Sequence, residues 1–387
     1  MKKVVVLGCG MVGKTMVKDL AKDKDLSIAV YDRDTGALEE LKKTVSPAGE
    51  NGIEIHAKDL SRPETVKECV KDADLVIGAL PGFLGFQTLK AVIESGKNCA
   101  DISFMPEDAS ALDGLAKEKG VTAVVDFGVA PGISNLIFGR YNHEFDVFEE
   151  GLILVGGLPR KRSWPYEYKA PFSSIDVIEE YTRPARYVRD GKVVVMPALS
   201  EPEFIEFPVI GTLEAFNTDG LRSLIKNIRC PNMKEKTLRY PGHIEKMRVL
   251  RETGFFSQEE IEVKGNKIRP IDLTSKLLFP LWRPEADEEE FTLMRVEVTG
   301  VKDGNREKHI FNLLDFTDFK NKDSSMARTT GFPNVIMARE ILNGNFTRKG
   351  VFPPELVADD KNIYHRIFEG LKERGVNITH NVEICSK

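Results

Sequence analysis

Short apolar runs alternate with amphipathic stretches along the first 130 residues of the chain. Runs typical of buried strands are found at residues 3–7, 27–31, 52–56, 75–80, 98–101 and 122–125. Helical spacing of apolar residues is found between them at residues 11–20, 35–43, 63–71 and 109–119. Because strands that alternate with helices across short links form a parallel sheet covered on both faces, this part predicts a doubly wound α/β domain.

The pattern changes after the Ala130-Pro131-Gly132 segment. Strand-like runs are now separated by longer links, and they lie at residues 151–155, 192–195, 204–207 and 291–298. Helical spacing is found at residues 133–141, 173–181, 244–252, 272–281 and 333–342. Asp303 and Gly304 predict a hairpin between residues 291–298 and 308–316. This part therefore predicts an α+β domain with a mixed or antiparallel sheet.

The first predicted strand ends in a glycine-rich turn at residues 8–13. Gly8 allows a tight turn, Gly10 lets the backbone approach a pyrophosphate, and Gly13 lets the next helix pack on the sheet. The N-terminus of that helix offers free N–H groups to phosphates. Asp32 ends the second strand, where a carboxylate accepts the ribose hydroxyls. Strand, glycines, helix, second strand and acid in this order predict a Rossmann dinucleotide-binding domain.

The domain limits follow from these patterns. We expect the Rossmann domain at residues 1–131, an α+β substrate and dimerisation domain at 132–325, and a C-terminal helical segment at 326–387 that packs back on the Rossmann domain. The active site is then expected between the two domains.

Two neighbouring residues decide between the nicotinamide cofactors. Asp32 favours NAD, because its carboxylate would repel the 2′-phosphate of NADP, whereas Arg33 could accommodate that phosphate, so NADP remains possible. Asp59 either meets the adenine end of the cofactor or caps a helix in solvent. The other expected cofactor contacts open the first helix or follow strands, and they are Met11, Val12, Leu60, Ala79, Leu80, Pro81, Asp101, Ser103 and Val129.

Polar residues of the second predicted domain are candidates for substrate binding. A carboxylate substrate needs an arginine fork, for which Arg239 and Arg222 are candidates. Tyr168 and Thr218 lie in polar stretches and are candidate contacts, although tyrosines and lysines on a loop are more often plain surface residues.

A general base is also needed. His243 is the first candidate, because a histidine just before a helix can take a proton, and the alternative is a histidine that caps or packs at the helix start. Asp126 and Asp101 follow central strands and are the other candidates, unless they only cap loops or pair with lysines.

Composition excludes several other classes of protein. Hydrophobic residues make up 41% and charged residues 30% of the chain, as in a globular protein, and the net charge of −5 gives no basic footprint for nucleic acid. No signal peptide is recognised, and no apolar stretch approaches the roughly 20 residues of a membrane helix. The five cysteines form no CxxC pair and the six histidines no HxxH group. We therefore expect a cytoplasmic protein with no metal, nucleic acid or membrane as partner.

Longer segments resemble the saccharopine dehydrogenase superfamily, and within it the lysine 6-dehydrogenase branch. The segments that carry the resemblance are residues 8–13, 78–86 (GALPGFLGF), 101–107 (DISFMPE), 126–135 (DFGVAPGISN), 156–159 (GGLP), 180–186 (EYTRPAR), 214–220 (EAFNTDG), 237–243 (TLRYPGH), 326–330 (MARTT) and 350–355 (GVFPPE). The resemblance covers nearly the whole chain. It implies a nicotinamide cofactor, a dimer, and an amino-acid substrate that is oxidised at a carbon bearing nitrogen.

One departure from the family pattern bears on the substrate. Saccharopine reductases have an acid between the glycine and the proline of the loop after the sixth strand, where this chain has Ala130. This favours L-lysine 6-dehydrogenase activity, the oxidative deamination of the ε-amine. Saccharopine or carboxynorspermidine oxidoreduction is the alternative within the same chemistry, and a non-catalytic NAD-binding sensor is the alternative of another class.

A homodimer is expected from the apolar strands as well as from the resemblance. Residues 291–298 and 310–316 carry more apolar side chains than one sheet face needs, and an exposed apolar face usually marks an interface. The competing interpretation is a monomer in which residues 272–281 cover that face.

Overall fold

The computed structural model describes residues 1–45, 53–285 and 287–384. The strands, in chain order, are β1 (Lys2–Leu7), β2 (Leu26–Asp32), β3 (Glu54–Ala57), β4 (Leu75–Gly78), β5 (Asn98–Asp101), β6 (Thr122–Val124), β7 (Val147–Pro159), β8 (Ala185–Arg189), β9 (Lys192–Met196), β10 (Glu203–Phe207), β11 (Gly211–Asn217), β12 (Asn232–Arg239), β13 (Ile261–Val263), β14 (Asn266–Ile268), β15 (Glu290–Lys302), β16 (Asn305–Phe316), β17 (Gly350–Phe352) and β18 (Ile378–Ile384).

Helices connect these strands. They are α1 (Met11–Leu20), α2 (Thr35–Val45), α3 (Pro63–Val70), α4 (Gly82–Glu94), α5 (Asp113–Glu118), α6 (Ile133–Glu144), α7 (Ser174–Thr182), α8 (Leu224–Asn227), α9 (His243–Glu252), α10 (Pro270–Trp282), α11 (Ser325–Leu342), α12 (Pro354–Val357) and α13 (Lys361–Glu373). A 3₁₀ turn at Ala109–Leu112 precedes α5. Within the described ranges, no helix is long and apolar enough to cross a membrane.

The chain forms two compact units. The first combines Met1–Glu144 with Lys226–Ile228 and Ala327–Asn377, and the second combines Phe145–Ile225 with Arg229–Met326 and the residues from Ile378 onward. The first unit therefore takes in α6 and the helices α11 to α13.

The first unit is built on a seven-stranded sheet in the order β17-β6-β5-β4-β1-β2-β3, and its neighbouring strands pair in parallel. The interior strand β1 is apolar, and Val4 and Leu7 are fully buried. The chain runs outward from β1 to β3 and then returns to β4 on the other side of β1, so that the strand order reverses between β1 and β4. The predicted doubly wound parallel sheet is confirmed.

A buried carboxylate joins distant helices of this unit. Asp19, near the end of α1, is 2% exposed and accepts hydrogen bonds from Arg339 Nη1 at 2.7 Å and from Arg374 Nε and Nη2 at 3.0 Å. Burial alone would raise the pKa of Asp19, but the two guanidinium groups hold it below its usual value. The first helix is thus tied to α11 and to the end of α13 by charge as well as by apolar packing.

The second unit has a nine-stranded sheet. Its main path is β10-β11-β12-β7-β15-β16-β18, and β8 and β9 attach beside β12. The pair β12 and β7 is parallel and the other pairs are antiparallel, so the predicted mixed sheet is confirmed. Buried side chains from α7, α9 and α10 share one apolar core with the sheet, and they include Tyr181, Met247 and Trp282.

Several elements differ from the sequence prediction. Residues 214–217, for which no strand was predicted, belong to strand β11. The predicted helix 333–342 begins eight residues earlier at Ser325 and contains Pro333. The third predicted strand began at residue 52, which lies outside the described residues, and the observed strand is Glu54–Ala57. The strand β17, which completes the first sheet, had no prediction.

The apolar strands that motivated the dimer are buried within this chain. Phe291, Met294 and Val298 of β15 and Phe311 of β16 are all at most 3% exposed. The premise that these strands leave an apolar face uncovered is therefore wrong.

The buried charge cluster generates a prediction about stability. Replacing Asp19 with Asn should cost about 3 kcal/mol, because Arg374 loses its carboxylate partner and Arg339 keeps only Asp23. Since the pKa of Asp19 is lowered in the folded state, this stabilisation is present above the unfolded value near 3.8 and is lost as the pH falls through the folded value. Urea unfolding of wild type and variant at pH 7 and at acid pH measures both effects.

The control is Asp272→Asn, which removes an exposed bidentate pair with Arg269. It should leave the urea midpoint unchanged, because solvent screens exposed pairs. Equal losses in the two variants would contradict the assigned role of Asp19.

Candidate functional site

Three backbone segments meet closely at the carboxyl end of β1. Gly8 has a φ of +110°, and a Cβ added to it would lie 2.3 Å from the carbonyl oxygen of Ala79, just after β4. A Cβ on Gly13 would lie 2.3 Å from the carbonyl oxygen of Gly8. Only glycine fits these two positions, and the close approach brings the start of α1 to the point where the strand order reverses. Ligands bind at such points in open α/β sheets.

Gly10 differs from its two neighbours in the motif. It is exposed, its backbone is extended, and a Cβ added to it would meet no atom within 4 Å. It is the N-cap residue of α1, and no side chain caps this helix. The N–H groups of the first turn are therefore left for another acceptor, and a phosphate suits them in charge and geometry.

Asp32 is held beside this turn by the backbone. One carboxylate oxygen accepts a hydrogen bond from the N–H of Cys9 at 2.5 Å, and the other accepts one from the N–H of Asp34 at 2.9 Å. The arrangement fixes an acceptor group at the ends of β1 and β2, where a ribose hydroxyl can be bound. Gly8, Gly10 and Gly13 form a glycine cradle at the start of α1. Together with the uncapped helix and the Asp32 carboxylate, this cradle fits a dinucleotide.

Asp59 and Arg33 lie at the same edge of the sheet. A hydrogen bond from the Ser61 N–H at 3.0 Å and the nearby Arg33 and Arg62 lower the pKa of Asp59. The N-cap residue of α3 is Arg62, so Asp59 caps the preceding turn instead of the helix. Among the other expected contacts, Leu60, Ser103 and Val129 are buried, whereas Met11, Val12, Ala79, Leu80 and Pro81 are exposed or half-buried.

Two carboxyl groups follow the neighbouring strands β5 and β6. Asp101 is 1% exposed, accepts a hydrogen bond from the Ser103 N–H at 2.7 Å, and fills the space that a Cβ on Gly78 would need. Burial raises the pKa of Asp101 to about 7, and the charge of Asp126 adds to the shift. Asp126 is buried with a φ of +55°, a conformation that Asp adopts more readily than most residues. Asp101 can therefore hold or release a proton near neutral pH.

In the second unit, the candidate Arg239 is the centre of a buried cluster. It is 2% exposed, and Nη2 contacts a Glu180 carboxylate oxygen at 2.5 Å. Nε donates to the Tyr181 hydroxyl at 3.0 Å, and the guanidinium lies 4.5 Å from the ring centre of Tyr168. The structure thus brings the candidates Arg239 and Tyr168 together. It also gives the guanidinium a carboxylate partner from the same chain.

His243 completes the same cluster. Its Nδ1 lies 2.9 Å from the backbone carbonyl of Tyr166, which can only accept, so Nδ1 carries the proton. Its Nε2 then accepts from the Tyr181 hydroxyl at 3.0 Å. His243 is 1% exposed, and burial, helped by the charge of Arg239, lowers its pKa to about 3. A neutral imidazole with both nitrogens bonded in the interior is well suited to orienting Tyr181 and poorly suited to taking a proton from a substrate.

The other two substrate candidates, Thr218 and Arg222, follow strand β11. The buried Thr218 donates to Glu235 and lies 2.9 Å from the Thr237 hydroxyl. Burial raises the pKa of Glu235 to about 8. Arg222 is half-buried in the loop after β11, with a φ of +53°. Within the part of the chain that the structure describes, no group of three or more His, Cys, Asp or Glu side chains is placed to hold a metal ion.

Glu180 and Tyr181, which had no predicted role, complete the buried cluster. They end the amphipathic helix α7, and Tyr181 is fully buried there. The available signal was a charged residue next to a tyrosine on the apolar face of a helix. A buried charge needs a partner, so this pattern indicates a buried polar cluster.

Comparison with known proteins assigns the family. The model of the saccharopine dehydrogenase C-terminal domain matches residues 128–376, and that of the saccharopine dehydrogenase NADP binding domain matches residues 4–124. The chain belongs to the saccharopine dehydrogenase family. This confirms the superfamily suggested by the sequence motifs, and the match is compatible with NAD or NADP as cofactor.

Individual relatives are distant. Mouse (Mus musculus) mitochondrial alpha-aminoadipic semialdehyde synthase is 22% identical over 97% of this chain and 47% of its own length, so the chain spans about half of that protein. Carboxyaminopropylagmatine dehydrogenase of Synechocystis is 24% identical over 93% of this chain and 94% of its own. The solved structure of apo saccharopine dehydrogenase (L-Glu forming) from Saccharomyces cerevisiae has a TM-score of 0.80 at 20% identity, over 99% of this chain and 100% of the other. This structural likeness establishes the shared fold.

The open space above Gly10 generates a sharp prediction. Gly10→Val should fold normally, because its Cβ meets nothing, and should abolish nucleotide binding, because the side chain occupies the place of the pyrophosphate. NADH fluorescence titration measures the affinity, and thermal unfolding reports the fold. Gly114→Val on α5 is the matched control, since its Cβ also meets nothing. Unchanged NADH affinity in Gly10→Val would refute the assignment of the cradle.

Proposed function

We propose that this chain is an NAD(P)-dependent oxidoreductase that acts on the carbon–nitrogen bond of an amino-acid substrate, with the ε-amine of L-lysine as the leading candidate. The observation that carries the proposal is the dinucleotide cradle at the reversal of strand order, in the same unit as a buried carboxyl pair at the ends of β5 and β6. Membership of the saccharopine dehydrogenase family supports it.

Different residues at the cradle would bind different parts of the cofactor. Gly10 and the first turn of α1 would hold the pyrophosphate, and Asp32 would accept the ribose hydroxyls. NAD or NADP, when bound, supplies the hydride acceptor for the carbon that bears the nitrogen. We propose NAD as the preferred cofactor, because the carboxylate of Asp32 would repel a 2′-phosphate.

A proton acceptor is required, because an amino group must be neutral before its carbon can lose hydride. Asp101 has a pKa of about 7, so its carboxylate is available at neutral pH and its basicity is matched to the task. We therefore assign the role of general base to the Asp101 and Asp126 pair and an orienting role to His243.

Two substrate classes remain in competition. Ala130, in place of the acid expected in saccharopine reductases, supports L-lysine. The names of relatives support the second class, and they include saccharopine dehydrogenase, carboxyaminopropylagmatine dehydrogenase and carboxynorspermidine synthase. Absorbance at 340 nm with NAD⁺ or NADP⁺ and a panel of L-lysine, saccharopine and carboxynorspermidine decides between them. Cofactor binding without turnover of any amino acid would instead indicate a non-catalytic sensor.

We also propose a cytoplasmic homodimer. The described cysteines are free and buried, as suits a reducing compartment. Leu273, Leu277 and Leu281 form a stripe along α10 and are 49%, 60% and 51% exposed. A stripe of exposed leucines is typical of an interface, and a symmetric dimer would cover it.

Light scattering tests the dimer. The wild type should show twice the 43.4 kDa mass of one chain at micromolar concentration, and Leu277→Glu should shift it toward one chain. Lys276→Glu, on the same helix, is the control for added charge. A wild-type mass near one chain would rule the dimer out.

The acid pair generates a prediction about pH. Wild-type kcat/KM should fall as the pH drops below about 7, because Asp101 becomes protonated. Asp101→Asn should lower kcat by about 100-fold or more and remove that limb of the profile. Thermal unfolding serves as the control, since it shows that the variant is folded. A variant that keeps the wild-type pH profile would exclude Asp101 as the base.

Cofactor preference is predicted to depend on Asp32. Asp32→Ser, with Arg33 in place, should shift the ratio of kcat/KM values toward NADP, because the repulsive carboxylate is gone and the guanidinium remains. Steady-state kinetics with both cofactors measure the ratio. Asp34→Ser is the neighbouring control. A wild type that already prefers NADP would show the electrostatic argument to be wrong.

A further inference from the structure

A pocket of about 490 Å³ lies at one end of the large sheet in the second unit. Its walls come from three places, namely Arg160 and Arg162 after β7, Tyr240 after β12, and the segment 209–212 that leads into β11. Because β7 and β12 are parallel neighbours, their carboxyl ends lie at the same edge of the sheet. The antiparallel strand β11 begins at that edge. The volume is within the range of about 300–1,000 Å³ that small-molecule pockets have.

The floor of the pocket is fixed by hydrogen bonds. The Tyr240 hydroxyl donates to the carbonyl of Pro159 at 2.9 Å, which joins the ends of the two parallel strands. The N–H of Arg160 donates to the carbonyl of Glu289 at 2.7 Å. Tyr240 is 6% exposed, so its ring forms a firm wall instead of a mobile surface group.

The two guanidinium groups of the pocket have different partners. Arg162 lies 4.8 Å from the ring centre of Tyr240, and Glu167 neutralises it through an ion pair at 2.5 Å. Arg160 lies 5.4 Å from the ring centre of Phe316. The guanidinium of Arg160 makes no ion pair or hydrogen bond with any residue in the described ranges.

The Arg160 guanidinium therefore has five donors in a planar fork with no protein acceptor. Such a fork matches the two oxygens of a carboxylate, and stacking on an aromatic ring keeps the plane in place. The lining also includes the apolar side chains of Val209 and Ile210. The Thr212 hydroxyl is already used, since it donates to Glu206 at 2.5 Å. A ligand for this pocket thus combines one carboxylate with a short aliphatic chain.

We propose that this pocket is a binding site for the carboxylate of a small aliphatic acid and that Arg160 is the residue that recognises it. The acid has two possible sources. It is either the carboxylate end of the enzyme's own substrate or a separate organic acid that binds beside it. The chemistry of recognition is the same in both cases.

Isothermal titration of the 387-residue protein with glutarate tests the proposal. Wild type should bind glutarate, Arg160→Gln should bind it at least 10-fold more weakly, and Arg160→Lys should be intermediate because it keeps the charge and loses the fork. Arg248→Gln, which removes an exposed arginine of α9, should bind as wild type does. NADH affinity should be equal in all four proteins, which shows that each is folded.

Kinetics separate the two sources. If the site takes the substrate's own acid, glutarate competes with the amino acid, and Arg160→Gln raises KM while kcat is kept. If it takes a separate acid, glutarate binds without competition. The proposal is overturned if wild type binds no glutarate at millimolar concentration, if Arg160→Gln binds it as well as wild type, or if inorganic phosphate binds more tightly than glutarate.

Discussion

The candidate cofactor site depends on a backbone approach that excludes side chains. The carbonyl oxygen of Gly8 lies where a Cβ of Gly13 would be, and the carbonyl of Ala79 lies where a Cβ of Gly8 would be. Because β1, α1 and the loop after β4 can come this close, the start of α1 points its free N–H groups at the reversal of strand order. At the same edge of the sheet, the carboxyl group of Asp101 lies where a Cβ of Gly78 would be. Cofactor cradle and acid pair are therefore consequences of one packing constraint.

The second unit contains a buried cluster of charged and polar side chains around Arg239. Arg239 is buried with Glu180 and two tyrosines, and its positive charge helps to keep His243 neutral. Such a cluster is costly to bury and specifies one arrangement of α7 and β12. The candidates Arg239 and His243 are buried among partners from the same chain, whereas the exposed Arg160 has no acceptor for its guanidinium among the described residues.

Local patterns in the sequence were sufficient to predict six of the seven strands of the first sheet. The alternation of apolar runs predicted β1 to β6, and the glycine spacing with Asp32 predicted the cradle, because both depend on neighbours in sequence. They could not predict β17, whose place beside β6 is set by contacts between residues more than 200 positions apart. The environment of His243 could not be predicted for the same reason. Its surroundings come from Tyr166 and Tyr181, and no local pattern shows that both nitrogens are bonded.

The proposed reaction of this chain transfers a hydride from an amine-bearing carbon to a nicotinamide. The most direct measurement uses L-lysine that carries deuterium on the ε-carbon, with saccharopine labelled at the carbons that bear its nitrogen as the second substrate. The account predicts that mass spectrometry finds deuterium in the reduced cofactor with one of them. Tight binding of the cofactor with no transfer of deuterium from either substrate would contradict it.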